Sequence, residues 1–175
     1  MGKLVKIFIV LLFYTNTAFS AINGGVEYKI PIDYSQINEE EFGAKADSLF
    51  STLAGRKTSE VDESMTEALN LYTALSMTNP ENISYVIKLG RLYDIIGKDR
   101  QAKGNFYKAI GINQADPEAY FYLGEFFFER EQYRRALKFY KKAYERGYQS
   151  HPETVNKMKI IFKKFGDKSG LEVLN

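Results

Sequence analysis

The chain has 175 residues, 45% of them apolar and 26% charged, which suits one globular domain with a sizeable core rather than a disordered chain. The formal net charge of +2 favours no class of partner by itself. There is no cysteine, so disulfides, thiolate metal sites and cysteine nucleophiles are excluded.

Residues 1–20 have the order of a secretory signal peptide. Lys3 and Lys6 make a positive start, Ile7 to Tyr14 is a short uncharged run, and Thr15-Asn16-Thr17 breaks it. Ala18-Phe19-Ser20 then places small residues at the first and third positions of a cleavage site, so cleavage is expected near Ser20. The run is well short of the roughly 20 residues that a membrane-spanning helix needs. A buried N-terminal helix and an uncleaved anchor are the alternative readings. Export, to a periplasm or the exterior, is the expectation.

Residues 21–38 look extended. Val26, Tyr28, Ile30, Ile32 and Tyr34 alternate with polar residues or Pro31, the two-residue period of a strand with one apolar face. Pro31 confines such a strand to an edge. It is either an arm laid along a helical body or a strand offered to a partner's sheet.

Helices begin at Asn38, whose side chain with Glu41 resembles a capping box. Phe42, Ala46, Leu49, Phe50 and Leu53 share one face of the first helix, which runs to Gly55. Val61, Met65, Ala68, Leu69, Tyr72 and Leu75 define a second, stopped by Asn79-Pro80. Asn82 caps a third, carrying Val86, Leu89, Gly90 and Tyr93 to Gly97. A fourth contains Ala102, Phe106 and Ala109. Asp116-Pro117 opens a fifth, with an acidic cap and a proline in the first turn. A sixth carries Tyr133, Ala136, Tyr140 and Ala143 to Gly147. Ser150 and Glu153 are expected to cap a seventh, through Met158, Ile161 and Phe162 to Gly166. Residues 39–166 are thus a helical domain, and 167–175 a short tail in which Leu171 and Leu174 pack on the last turn.

The chain repeats itself. Shifted by 34 residues, Leu89-Gly90 falls on Leu123-Gly124, Tyr93 on Phe127, Ala102 on Ala136, Phe106 on Tyr140 and Ala109 on Ala143. A fixed period of this length marks units that bury their apolar faces only by stacking on neighbours. One period earlier, Ala68 and Tyr72 continue the second-helix pattern. The first helix of that pair aligns only with an insertion of about two residues that sets Leu53-Ala54 on Leu89-Gly90. Lys57 then stands where the other units have an aromatic.

The pattern Tyr120-x-x-Leu123-Gly124-x-x-Phe127, then Ala136-x-x-x-Tyr140-x-x-Ala143, resembles the tetratricopeptide repeat family over residues 47–165. The resemblance implies an all-α, right-handed superhelix of antiparallel helix hairpins, about three units and a C-terminal capping helix. It also implies a concave groove lined by the first helix of each unit, holding a protein or peptide. Carried over, that groove presents Ile87, Arg91, Asp94 and Ile95, then Phe121, Glu125, Phe128 and Glu129, then Val155, Lys159, Phe162 and Lys163. Ile87, Phe121, Phe128 and Phe162 are expected to supply the binding energy. The family's chaperone-type members grip a C-terminal carboxylate with lysines and asparagines; Ile87 and Phe121 occupy those places here, so that mode is not expected.

Charge is distributed unevenly. From Glu27 to Glu81, 11 acidic residues face 4 basic ones, a net −7; from Arg130 to Lys168, 12 basic face 4 acidic, a net +8. Such ends can steer a charged partner, stack head to tail, or rest on anionic lipid. No nucleic-acid motif is present. His151 is the sole histidine and stands at a helix start, a capping or solvent position. With no phosphate loop and no catalytic or metal constellation, neither enzyme activity nor a cofactor is expected. Asn82-Ile83-Ser84 matches a glycosylation acceptor but falls at a helix start, where it reads as a cap. The expected protein is an exported, non-catalytic adaptor or assembly factor of the cell envelope. The alternatives are a self-associating structural protein and a membrane-tethered accessory subunit.

Overall fold

The computed structural model describes residues 38–56 and 60–174. The leader, the extended arm up to Ile37 and Lys57 lie outside the described residues. The helices are α1 (Glu39–Leu53), α2 (Glu63–Thr78), α3 (Ile83–Ile95), α4 (Asp99–Ile112), α5 (Pro117–Glu129), α6 (Tyr133–Glu145), α7 (Pro152–Phe165) and α8 (Lys168–Glu172). They form three antiparallel hairpins, α1–α2, α3–α4 and α5–α6, stacked in chain order as a superhelix and closed by α7. Among the described residues the protein is all-α.

Side-chain caps set most of the boundaries. Asn38 Oδ1 accepts from the amides of Glu40 (3.1 Å) and Glu41 (3.4 Å), Asn82 from Ser84 (3.1 Å), and Asp116 from Glu118 (2.8 Å). Two expected starts move. Asp62 accepts from the Met65 amide at 2.8 Å, so α2 begins at Glu63 and leaves Val61 outside it, 45% exposed. Ser150 falls in a 3₁₀ turn, Tyr148–Ser150, and it is His151 that caps α7: its Nδ1 accepts from the Thr154 amide at 3.3 Å.

The turns after α3, α5 and α7 share one closure. The Lys98 amide donates to Tyr93 O (2.8 Å), Gln132 to Phe127 O (2.9 Å) and Asp167 to Phe162 O (2.9 Å). The residue before each donor is left-handed: Gly97 at φ 70°, Glu131 at φ 56° and Gly166 at φ 68°.

Within a hairpin the helices approach at glycine. A Cβ on Gly90 would lie 2.8 Å from the Phe106 ring, and one on Gly124 2.7 Å from the Tyr140 ring. At these two positions only glycine leaves room for the facing aromatic, and the buried alanines Ala102, Ala109, Ala136 and Ala143 let the second helix come close enough.

The first hairpin uses the same joint in a different register. Tyr72 donates its hydroxyl to Asp47 at 2.6 Å, as Tyr140 does to Glu125, the residue after Gly124. Phe50 meets Tyr72 edge-on at 6.0 Å, as Phe128 meets Tyr140 at 6.3 Å. Ala46, fully buried, is therefore the counterpart of Gly90 and Gly124, and Leu53-Ala54 is not. The extra residues lengthen the two helices and their connection, which helical periodicity alone does not count.

At the far end α7 turns Thr154, Met158, Ile161 and Phe162 inward. The tail is not loose: α8 lays Gly170 on the Phe162 ring, where a Cβ would come within 2.5 Å, and packs Leu171 and Leu174 against the core.

Candidate functional site

The inner helices α3, α5 and α7, with Ala54, Gly55 and Arg56 just after α1, bound a trough of about 520 Å³. Ile95 and Ile96 of the second hairpin and Phe121 and Tyr122 of the third form its apolar lining. Its polar groups are Arg56, Arg91, Asp94, Glu125, Glu129 and Glu153.

One slot recurs in each hairpin, the position after the small residue at the joint, and in the second and third hairpins it lines the trough. In the first hairpin Asp47 occupies it, accepting from Tyr72 and from Lys88 Nζ (2.7 Å) of the next hairpin. In the third Glu125 occupies it, accepting from Tyr140 and from Lys157 Nζ (3.2 Å) of α7. Each tyrosine–carboxylate–lysine relay ties one unit to the next. Burial first, then the adjacent carboxylate, pushes the Tyr72 and Tyr140 hydroxyls far above their ordinary range, so both remain donors.

In the middle hairpin the slot holds Arg91, and its partners change accordingly. Phe106 has no hydroxyl to give. The guanidinium instead lies between the rings of Phe50 (4.6 Å) and Tyr122 (4.5 Å), and Tyr122 stacks on Phe106 at 6.3 Å. Asp94 is held by Arg130 Nη2 at 2.7 Å; the same guanidinium also binds Asp99 (2.6 Å) and Phe126 O (2.9 Å) and covers the Phe126 ring. Burial nevertheless raises the Asp94 carboxyl, with Arg130 pulling the other way.

Of the residues expected in the groove, the trough brings together Arg91, Asp94, Ile95, Phe121, Glu125 and Glu129. Ile87, Phe128, Lys159 and Phe162 do not line it. Ile87 is 1% exposed, in a satellite cluster with Val86, Ala109 and Ala119 between the second and third hairpins. Phe162 is buried beneath α8, and Phe121 is only 4% exposed. None of these three offers a partner much apolar area. Phe128 is half-buried against Tyr133 and Tyr140, with Lys157 Nζ 4.2 Å from its ring centre. Val155 and Lys159 are partly buried on α7, while Lys163 is exposed.

Sequence reasoning missed Arg56, Tyr122 and Glu153. Tyr122 had a signal: with Glu118, Glu125 and Glu129 it forms a stripe at four-, seven- and eleven-residue spacing on α5. That stripe is centred about 70° round the helix from Phe121.

No family model matches the chain. No curated protein matches it either. Among solved structures it is similar to one described as the crystal structure of MamA, 20% identical with a TM-score of 0.52, covering 61% of this chain and 62% of that one. A second, described as the crystal structure of MamA protein, is 18% identical with a TM-score of 0.51, covering 73% and 68%. The likeness is one of fold. The chain thus spans less than two thirds of the first of these structures. Among the described residues no cluster of side chains could hold a metal ion, and no helix is long and apolar enough to cross a membrane.

Proposed function

We propose that this protein is a non-catalytic scaffold that holds a segment of a partner protein in its trough, as the resemblance to tetratricopeptide repeats implies. The observation that carries the reading is the continuous concavity bounded by successive inner helices, with a partly apolar lining and charged walls. A surface of this shape suits an extended or helical segment anchored by a few side chains. Glu125 in its wall is held by Tyr140 and by Lys157 of the next unit, which preorganises that side and limits the ordering free energy lost on binding.

The place of action is the cell envelope or beyond it, an expectation that rests on the signal-like order of residues 1–20. N-terminal sequencing of protein recovered from its native cells tests it: a start near Ala21 is expected, and an intact Met1 would point instead to an anchored subunit.

Site-directed photocrosslinking tests the scaffold reading. A photoreactive amino acid in place of Glu129 or Glu153, both exposed at the trough, should capture the same partner in intact cells. The same group in place of Lys138, exposed on the outer helix α6, should not. Capture only from position 138 would overturn the assignment.

A second reading, end-to-end self-association, is favoured by the net −7 and +8 of the two halves. It predicts oligomers at low ionic strength that dissociate as salt is raised, measured by sedimentation velocity; a monomer at all salt concentrations would exclude it.

A further inference from the structure

The last unit of a helical stack needs a polar outer face to stay in solution. Here three of the five large apolar side chains exposed among the described residues stand on α7 and α8: Ile160 (50%), Phe165 (45%) and Val173 (74%). Cations surround them. Between Glu131 and Leu174 seven lysines and arginines are exposed, and the ion pairs of this segment, Arg146–Glu145 and Lys157–Glu125, include none of the seven. The exposed carboxylates left over are Glu131, Glu153, Asp167 and Glu172, so a surplus of three positive charges survives the pairing. Contacts gather cations and apolar groups into one corner. Arg134, Lys138 and Lys141 form a stripe on α6 at four- and three-residue spacing. The Arg134 guanidinium lies 6.0 Å from the Phe165 ring centre, and Lys164 Nζ 4.1 Å from that of Tyr133. Lys141 Nζ is 5.4 Å from the Phe162 ring, on which Gly170 of α8 sits. An aromatic ring attracts a cation without neutralising it.

We propose that this corner, α6 with the last turn of α7 and α8, docks on an anionic lipid surface. Arg134, Lys138, Lys141 and Lys164 meet the head groups, while Phe165 and Val173 enter the acyl boundary. Cations draw the protein to a negative bilayer and the apolar side chains hold it there, two signals that are each weak alone. A second copy fits this face less well. End-to-end stacking would set it against α1, which exposes carboxylates but no large apolar side chain. Lipid matches both the charge and the apolar groups. The inference goes beyond the scaffold reading. Glu153 of the trough stands about 18 Å along α7 from Phe165, so docking leaves the trough open and holds its segment beside the membrane.

The chain has no tryptophan, so a single one reports locally. Emission of Phe165→Trp should shift to the blue on vesicles of about one third phosphatidylglycerol in phosphatidylcholine, and revert as ionic strength rises from about 0.1 to 0.5 M. Val61→Trp, exposed at the opposite end of the stack, should not shift. Adding Lys138→Gln, Lys141→Gln and Lys164→Gln to Phe165→Trp should raise the lipid needed for half the shift about tenfold or more. Lys98→Gln with Arg100→Gln, exposed around the start of α4, should change it little. No shift at position 165, or an unchanged lipid requirement in the triple variant, would overturn the docking site. An equal shift on pure phosphatidylcholine would overturn the charge selection. The same shift with soluble polyglutamate would assign the corner to an acidic protein, and one that follows protein concentration without vesicles would assign it to a second copy. Either would overturn the lipid assignment. None of these outcomes touches the trough, which the crosslinking experiment tests separately.

Discussion

The glycine–aromatic joint is where single atoms decide the fold. Gly124→Ala forces a Cβ to within 2.7 Å of the Tyr140 ring, which is buried and has no room to yield. It should destabilise the protein by about 1–3 kcal/mol in urea unfolding. Gly104→Ala is the control: it lies within α4 with nothing inside 4 Å of the added methyl, and should stabilise by about 0.5–1 kcal/mol. If both changes act alike, close approach is not what holds glycine at 124. Asp47 sets a pH dependence. Partial burial pushes its carboxyl up, but hydrogen bonds from Lys88 and Tyr72 outweigh it and hold the group below the usual carboxylate range. A lowered carboxylate stabilises the fold at neutral pH, and that contribution is lost as pH falls below about 4. Unfolding free energy measured from neutral to acid pH should therefore fall less steeply in Asp47→Asn than in the parent. An equally steep fall would remove the relay from the account.

At the scale of the element, the turns after α3, α5 and α7 share one closure, yet the left-handed position of one is held by the wrong residue type. Glu131 adopts φ 56° where its counterpart 34 residues earlier is Gly97 at φ 70°. A side chain in this region costs about 1 kcal/mol, so Glu131→Gly should raise stability by roughly that amount. A loss on thermal unfolding would mean that the glutamate side chain compensates. The cap of α7 makes a second case. His151→Ala should destabilise by about 1 kcal/mol and speed amide exchange in the first turn of α7, and His151→Asn should restore most of both. The helices, their order and the Gly90 and Gly124 joints were legible in the sequence because a 34-residue period repeats them. The cap at His151 was legible only as one of two readings, capping or solvent, because Ser150 and Glu153 offer the commoner signature one residue away. The first hairpin's register was hidden for a related reason. Its joint uses Ala46 rather than glycine, and only the Tyr72–Asp47 contact reveals it.

Across the whole molecule, periodicity gave the stack and the existence of a concave side. It did not give the rotation of each inner helix about its axis. That rotation depends on what the neighbouring units cover, and it places Tyr122 at the trough's surface, leaves Phe121 nearly buried in its lining and puts Ile87 out of it. The pairing of Asp94 with Arg130 and of Glu125 with Lys157 was hidden in the same way, since the net charge of a segment does not say which groups meet. The account stands on the claim that the inner faces of α3, α5 and α7 are the binding surface. Amide chemical-shift mapping during titration with the partner segment captured by crosslinking at Glu129 or Glu153 tests that most directly. The largest shifts are predicted at Arg91, Asp94, Tyr122, Glu129 and Glu153; shifts concentrated on α2, α4 and α6 instead would contradict it.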